Sequence, residues 1–363
     1  MKSYLSPIQA ASGYQKQGGI AIITAILCIA LGTVTIVAIA SSQQFDLQRE
    51  RNEGLIQQAR SFGISGERFA AALLFRDAQA EDRGNSDSLE DDWALTIPPV
   101  PIDNASLQGC VVDMQGRFNL NNLVDLEGMV QPAYVAQFRR LLVALNIAVE
   151  KSDAVVDWVD SDLNFTAPEG AEDDFYTSLE VGYRAANAPF VSVSELQLVK
   201  GFTSAVEEQT EDYELLLPHV SVLSVDNGAT AVNVNTATPE VLASLSDGVM
   251  PAAADLSRWD TSAYEDYPEC ENIFDLEAEA PQSLEDGQAD LTPFESAEDF
   301  INEVPRTDPE DEVAIDVAFD TSSNYFQVRI NVEAEGITLS QFTLLERDAE
   351  GRTRVVYRSR DTL

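Results

Sequence analysis

The clearest pattern along the chain is an apolar run, Ile20 to Ala40, with no charged residue in it and none after it until Asp46. A helix needs roughly 20 such residues to cross a bilayer, so the run predicts a membrane-spanning helix. Beyond it, Leu55, Ala59, Phe62, Gly66, Phe69 and Leu73 recur in alternating steps of four and three, which places them on one helical stripe. Gln, Arg and Glu fill the other faces. The two patterns join into one long helix from about Ile20 to Arg76, its first half in lipid and its second half packed on a domain. The Asp/Glu/Gly/Ser segment Glu81 to Asp92 ends it.

The pattern then changes. Val111, Val112 and Met114 mark a strand over Leu107 to Met114, Gln115-Gly116 reads as a turn, and Phe118 to Leu123 follows as a second extended stretch. From about Pro132 to Pro251 the period is helical. Tyr134 to Val149 presents Phe138, Leu141, Leu142 and Leu145 on one face. Ala154 to Val159 is a second helix. Ser192 to Leu198 is a third, with a serine cap and Gly201 just beyond its end. Thr238 to Leu245 is a fourth, with Thr238 as cap and Pro239 at the first helical position. Asp255 to Glu298 is strongly acidic and reads as irregular. The last stretch alternates, with Tyr325, Gln327, Arg329 and Asn331 opposite Phe326, Val328, Ile330 and Val332. Ile337 to Leu345 and Thr353 to Tyr357 complete a three-stranded antiparallel meander with turns at Glu335-Gly336 and Glu350-Gly351.

Charge sharpens this picture. Lys and Arg number 22 against 62 Asp and Glu in 363 residues, a formal net charge of −40. Nucleic acid is excluded as a partner for such a surface, because phosphate contacts need clustered cations. Lys2 and Lys16 make the only basic stretch before the apolar run, which puts the leader in the cytoplasm and everything after Ala40 outside. Of the three cysteines, Cys28 lies in the membrane run, while Cys110 and Cys270 fall in a compartment that permits pairing. They form either a bridge or two buried thiols.

Catalytic chemistry is sparse. The one histidine, His219, sits among apolar neighbours as a partly buried residue, and there is no Gly-x-Ser-x-Gly, His-Glu-x-x-His or phosphate-cradling glycine loop. The reading is not an enzyme. Carboxylates do offer a metal site. Asp160, Asp162 and Asn164 occupy the first, third and fifth places of a Ca²⁺ loop, but Phe165 stands where the sixth needs glycine, and Glu172 comes one place late for the bidentate acid. Asp157 and Asp173 complete the candidate shell. Asn233 to Glu240 has the look of a helix-hairpin-helix start, yet with almost no basic residues it reads as a structural turn into a helix.

Several motifs carry a family resemblance. The junction Gln17-Gly18-Gly19-Ile20, with its small residues before the apolar run, resembles the class III signal of type IV pilins and pseudopilins. Val112 to Leu123 resembles a signature of K-type minor pseudopilins of type II secretion. In the same order follow Val156-Asp157-Trp158-Val159-Asp160, Gly170-Ala171-Glu172-Asp173, Tyr183-Arg184-Ala185-Ala186-Asn187, Ser194-Glu195-Leu196 and Asn233-Val234-Asn235-Thr236-Ala237. The resemblance implies an α+β pilin-like fold, a long N-terminal helix packed on an antiparallel sheet, with a large inserted α-helical domain. It divides the chain into a leader (1–19), a transmembrane half-helix (20–40), the helix remainder and first strand (41–130), the inserted domain (131–310) and the last strands (311–363). It implies cleavage by the prepilin peptidase after Gly19, methylation of Ile20, and structural Ca²⁺.

Pilins carry Glu at the fifth mature position, where this chain has Thr24. That departure implies the tip of the pseudopilus, which has no subunit above it to pair with. The implied partners are the I- and J-type minor pseudopilins, packed on the helix face of Leu55, Phe62, Phe69 and Leu73, and the inner-membrane assembly platform. The implied place is the inner membrane, single-pass, with the C-terminal part in the periplasm. A membrane-anchored acidic Ca²⁺-binding, adhesin-like module and a minor pilin of a type IV pilus are the rival readings.

Overall fold

The structure is a computed structural model and describes residues 18–80, 86–94, 97–202, 211–225, 228–259, 292–306 and 313–360. In chain order its elements are α1 (Gly18–Ala78), β1 (Ile97–Ile102), β2 (Ala105–Asp113), β3 (Phe118–Asn119), α2 (Pro132–Ala144), α3 (Lys151–Val159), α4 (Asp173–Tyr176), α5 (Glu211–Leu216), β4 (Val220–Ser221), β5 (Val232–Asn233), α6 (Pro239–Leu245), α7 (Ala253–Leu256), α8 (Ala297–Glu303), β6 (Phe319–Asp320), β7 (Tyr325–Ala334), β8 (Ile337–Arg347) and β9 (Thr353–Arg360). The chain divides into two units, Met1–Gln58 and Ala59–Leu363.

The first unit is helical, and its apolar side chains from Ile20 to Ile39 are exposed. It holds the one helix among the described residues long and apolar enough to cross a membrane. The hydroxyls in the run are satisfied within the helix. Thr24 donates to the Ala21 carbonyl at 3.0 Å, Thr33 to Ala30 at 2.9 Å and Thr35 to Leu31 at 2.8 Å. Such bonds let hydroxyls sit in a medium without water.

In the second unit the remainder of α1 packs on a five-stranded antiparallel sheet of order β1-β2-β7-β8-β9. Glu335 (φ 47°) and Gly336 (φ 83°) both take the left-handed conformation that a two-residue hairpin turn requires. The sequence pattern anticipates four of these strands. β1 was not anticipated, because Pro98, Pro99 and Pro101 argue against a strand, and an edge position is where prolines are tolerated. The stretch Phe118 to Leu123 combines two short elements. Only Phe118–Asn119 is strand, paired in parallel with β4, and Leu120–Leu123 winds into a 3-10 turn capped by Asn119.

The buried face of this part of α1 runs through Ala59, Gly63, Glu67, Ala70 and Leu74, beside the stripe read from the sequence. Phe62 and Leu73 are half-buried and Phe69 is 54% exposed. The reason is close approach. A Cβ on Gly63 would meet the Gln341 side chain at 2.8 Å, and one on Gly66 would meet Ile330 at 2.7 Å. Small residues therefore face the sheet, and Ala59, Ala70 and Leu74 pack with Phe326, Val328, Ile330 and Val332. Glu67 is the polar exception. It accepts from Arg358 through both oxygens (2.5 and 2.7 Å) and from Thr343 at 2.9 Å. Burial alone would raise its pKa, but the Arg358 and Thr343 hydrogen bonds outweigh that and hold it below the ordinary value.

The chain between β2 and β7 forms the helical block, whose core includes Phe118, Leu120, Leu123, Phe138, Leu141, Leu142, Trp158 and Tyr176. The signature Phe118 to Leu123 has a physical basis here. Its three buried asparagines act as surrogate backbone. Asn121 accepts from the Phe190 amide (2.8 Å) and donates to its carbonyl (3.1 Å). Asn122 does the same with Thr230, and Asn119 with Leu223. Asn235 repeats the arrangement with Phe294.

Asp113, at the end of β2, ties the block to the sheet. It accepts from Thr236 (2.6 Å) and Asn233 (2.9 Å) of the block and from Ser323 (2.7 Å) just before β7. His219 is fully buried rather than partly so. Its Nδ1 lies 2.9 Å from the Thr238 hydroxyl, and burial lowers its pKa to about 4, so it is neutral.

Glu67→Ala is expected to lower unfolding stability by about 1.5–3 kcal/mol, the range for hydrogen bonds to charged groups. Urea unfolding of the wild type and variant checks it. The difference should shrink below about pH 4, where a carboxylate held below its ordinary pKa becomes protonated and its stabilisation is lost.

Candidate functional site

The sequence that leaves α3 builds an acidic pocket. Asp157, in the last turn of α3, is fully buried and turns its carboxylate on the loop that follows, accepting from the Thr166 amide at 3.1 and 3.2 Å. Gly170 fits against it because it has no side chain. A Cβ there would lie 2.2 Å from Asp157 Oδ2 and 2.4 Å from the Thr166 carbonyl. Asp153, one turn earlier, accepts from the Glu169 amide (3.3 Å) and pairs with Arg139 (2.8 Å). Lys200 closes the loop from outside, donating to the Glu169 carbonyl at 3.2 Å and pairing with the Glu169 carboxylate at 3.0 Å.

The folded loop brings carboxylate oxygens of Asp160, Asp162 and Glu172 within 4.8 Å of one another. Asp160 Oδ1 and both oxygens of Glu172 are buried and accept no hydrogen bond. The Asn187 side-chain oxygen is likewise buried and unbonded, while its amide donates to the Asp162 carbonyl at 3.1 Å. Buried carboxylates without donors are costly, and the cost appears as pKa shifts. Burial, then repulsion from Asp162 and Asp157, raises Asp160 to about 6. Burial, then repulsion from Asp157 and Asp160, raises Glu172 to about 7. Asp157 is raised by burial as well.

This donor set suits a hard divalent cation. All the ligands are oxygens, they carry several negative charges, and opposite ligands of a Ca²⁺ ion at 2.3–2.6 Å stand about 5 Å apart. The unbonded oxygens supply the missing half of such an arrangement.

Of the six candidate ligands from the sequence, the structure brings together Asp160, Asp162 and Glu172. Asp157 is committed to the loop backbone. Asn164 lies on the exposed part of the loop, its amide donating to Asp162 Oδ1 at 2.6 Å. Asp173 opens α4, accepts from the Ala185 amide (3.1 Å) and faces Arg184 (3.6 Å). Sequence reasoning missed Asn187. No local sequence signal marks it, although its left-handed backbone (φ 44°) is one that Asn tolerates. A second acidic run in the sequence, Asp308 to Glu312, lies outside the described residues.

Gly19 and Ile20 are at the start of α1, and Thr24 is one turn in. Leu55 is buried. Cys28 is a free thiol and Cys110 is disulfide-bonded, while Cys270 lies outside the described residues.

Fold and site together define a pilin-like protein with a long N-terminal helix on an antiparallel sheet, a helical insertion and an acidic metal-type pocket within that insertion. A family model described as "Type II secretion system (T2SS), protein K" matches residues 116–225, which contain that pocket. Type II secretion system protein K of Pseudomonas aeruginosa PAO1 is 32% identical over 350 residues, 94% of this chain and 92% of the relative. The Aeromonas hydrophila protein K is 32% identical over 245 residues, 64% of this chain and 70% of its own length. A solved structure, the GspK-GspI-GspJ complex of enterotoxigenic Escherichia coli, superposes with a TM-score of 0.64 at 22% identity. It covers 87% of this chain and all of that one, which establishes the fold. The chain belongs to the protein K family of the type II secretion system, and it is a minor pseudopilin of that machine.

A divalent cation bound at this cluster would compete with protons for the same oxygens. Adding Ca²⁺ at pH 7.5 is expected to raise the melting temperature of the detergent-solubilised protein. The increment should shrink as pH falls from 7 to 5.5, because Asp160 and Glu172 protonate near 6 and 7. Without Ca²⁺ the sign reverses. Raised carboxylate pKa values destabilise the metal-free fold increasingly as pH climbs from about 4 to 7, so acidification over that range should stabilise it. Differential scanning calorimetry with Asp160→Asn/Glu172→Gln as the control checks both, since that variant should lose the increment and much of the pH dependence.

Proposed function

We propose that this minor pseudopilin stands at the tip of the pseudopilus and starts its assembly. The observation that carries the reading is Thr24. In the pilin-like pattern, filament subunits hold a carboxylate at this place, which a neighbour's amino terminus neutralises. A carboxylate in lipid is costly unless paired. Thr24 instead satisfies its hydroxyl on the Ala21 carbonyl of its own helix and needs no neighbour. A subunit so built can lead a filament without a subunit ahead of it. The helical block, the bulk of the chain between β2 and β7, adds a steric cap.

The prepilin peptidase cuts after Gly19, and α1 from Ile20 to Ala40 anchors the chain in the inner membrane with the second unit in the periplasm. The partners are the I- and J-type pseudopilins, in keeping with the complex of the E. coli relative, together with the assembly platform. The chain works by assembly rather than catalysis. Asp160, Asp162, Glu172 and Asn187 hold Ca²⁺, which neutralises the buried carboxylates and fixes the loop between α3 and α4 together with Asn187. Cys110 and Cys270 form the bridge of the periplasmic part.

Substituting Thr24→Glu should leave secretion of the exported proteins within about twofold of wild type, since leading the filament does not use residue 24 for pairing with a subunit ahead. Secretion assays in a strain carrying only the variant test this. Abolished secretion with normal protein levels would overturn the tip reading. The N-terminal mass with and without the peptidase tests the start at Ile20 separately.

A further inference from the structure

The two edges of the five-stranded sheet are protected very differently. At one edge, β1 reads Ile97-Pro98-Pro99-Val100-Pro101-Ile102, and three prolines in six residues remove the donors that another strand would need. At the other edge, β9 has no proline, and among the described residues no strand pairs with its outer side. Tyr357 packs inward, while Val355 and Val356 are exposed at 36% and 41%. A bulge leaves Val356 without a partner between the pairs Leu344↔Tyr357 and Leu345↔Val355.

The charge of this edge is opposite to that of the molecule. In a chain of net charge −40, the stretch Arg352 to Arg360 carries four arginines and no acid. Their own-chain partners are mostly exposed surface pairs. Arg352 faces Asp348 (3.1 Å) and Glu350 (2.8 Å), and Arg354 bonds Glu346 at 2.6 Å with its side chain 74% exposed. Arg360 has no ion-pair partner among the described residues. Surface pairs of this kind contribute little and exchange readily. Arg358 alone is tied inward, to Glu67.

We propose that the outer edge of β9 is an interaction surface that accepts an extended, acidic segment of another polypeptide as a sixth strand. The backbone supplies the hydrogen bonds of strand addition, and the arginines select the partner's charge. The same charge disfavours self-association. A second copy's β9 laid antiparallel would set Arg against Arg across the ladder, and like charges directly opposite destabilise a pair. The edge is thus closed to its own kind and open to an acidic strand, whereas the β1 edge is closed to both. The surface lies on the sheet, apart from the acidic pocket, and does not depend on Ca²⁺.

Full-length protein in detergent micelles, titrated into fluorescently labelled synthetic octapeptides and followed by anisotropy, tests the proposal. The alternating peptide (Glu-Val)₄ should bind at least about tenfold more tightly than (Lys-Val)₄, and raising the salt should weaken it. A (Glu-Val)₄ peptide with alternate backbone nitrogens methylated, which keeps the charge but blocks one hydrogen-bonding edge, should lose about tenfold or more. Arg354→Glu/Arg360→Glu should exchange the preference so that (Lys-Val)₄ binds better, with an unchanged melting temperature certifying the fold. Arg360→Glu alone, which breaks no internal pair, should shift the preference in the same direction. Equal binding of the methylated peptide would reduce the site to simple charge attraction. Absence of binding at low salt, or no preference between the two charges, would overturn it.

Discussion

The folded region depends on a carboxylate taken wholly out of water. Asp113 stands where the sheet ends and the helical block begins, and it is satisfied from both sides. Thr236 and Asn233 approach from the block, Ser323 from the lead into β7, and the Gln115 amide from its own turn. Burial raises its pKa and the Thr236 and Ser323 hydroxyls oppose the shift. A carboxylate with this many donors is held, whereas one missing any of them would be a buried charge without compensation. The block can therefore be long and loop-rich and still seat on the sheet in one way. Next to it, Asp87 accepts from Arg347 and from the Ser323 amide (2.8 Å), and the Arg347 guanidinium lies 4.7 Å from the centre of the Phe326 ring. The joint is a network rather than a single bond, which is why the segment before β1, the end of β8 and the start of β7 all converge there.

The acidic pocket uses the same kind of residue with the opposite outcome. Asp157 resembles Asp113 in being buried and bonded, and it shapes the loop. Asp160 Oδ1 and both Glu172 oxygens are buried without donors, so protein groups relieve their electrostatic cost only in part. One class of side chain thus makes a joint where donors converge and a cluster of like charges where they are withheld. Gly170 links the two cases, since its missing side chain lets Asp157 reach the Thr166 amide and so carries Glu172 round toward Asp160.

Much of this was legible in the sequence, for reasons that can be located. The membrane run, the β7–β9 meander and the Thr238-Pro239 helix start are local signals, set by apolar length, period-two alternation and capping chemistry. The inward stripe of α1 was misplaced by one position because Gly63 and Glu67 look like surface residues. Only the near contact with Gln341 and the Arg358 pair make them core. β1 was hidden by its prolines. The Asp160, Asp162 and Glu172 cluster could be read from alternating acids, while Asn187 could not, because its role rests on a loop that reaches the site from 25 residues beyond Asp162. The asparagines of the Phe118 to Leu123 signature were recognisable as a motif, but their work as backbone surrogates spans about 70 to 110 residues and leaves no periodic trace.

A strongly acidic protein must place its few cations with care, and their positions divide the labour. Lys151 and Lys200, the only lysines after Lys16, both bind loop carbonyls of the helical block, at Gly201 and Glu169. They hold backbone in place, and Lys200 does so beside the acidic pocket. The arginines of the last strands have a second task. Arg347 and Arg358 point inward and bind Asp87 and Glu67, joining strand to helix and joint. Arg352, Arg354 and Arg360 remain outside, where their attraction to acid is only partly met by the chain's own residues. A surplus of 62 acids over 22 basic residues sets copies of this protein against one another electrostatically. Contact with an acidic partner is favoured where that repulsion is locally reversed, and the open edge of β9 is such a place.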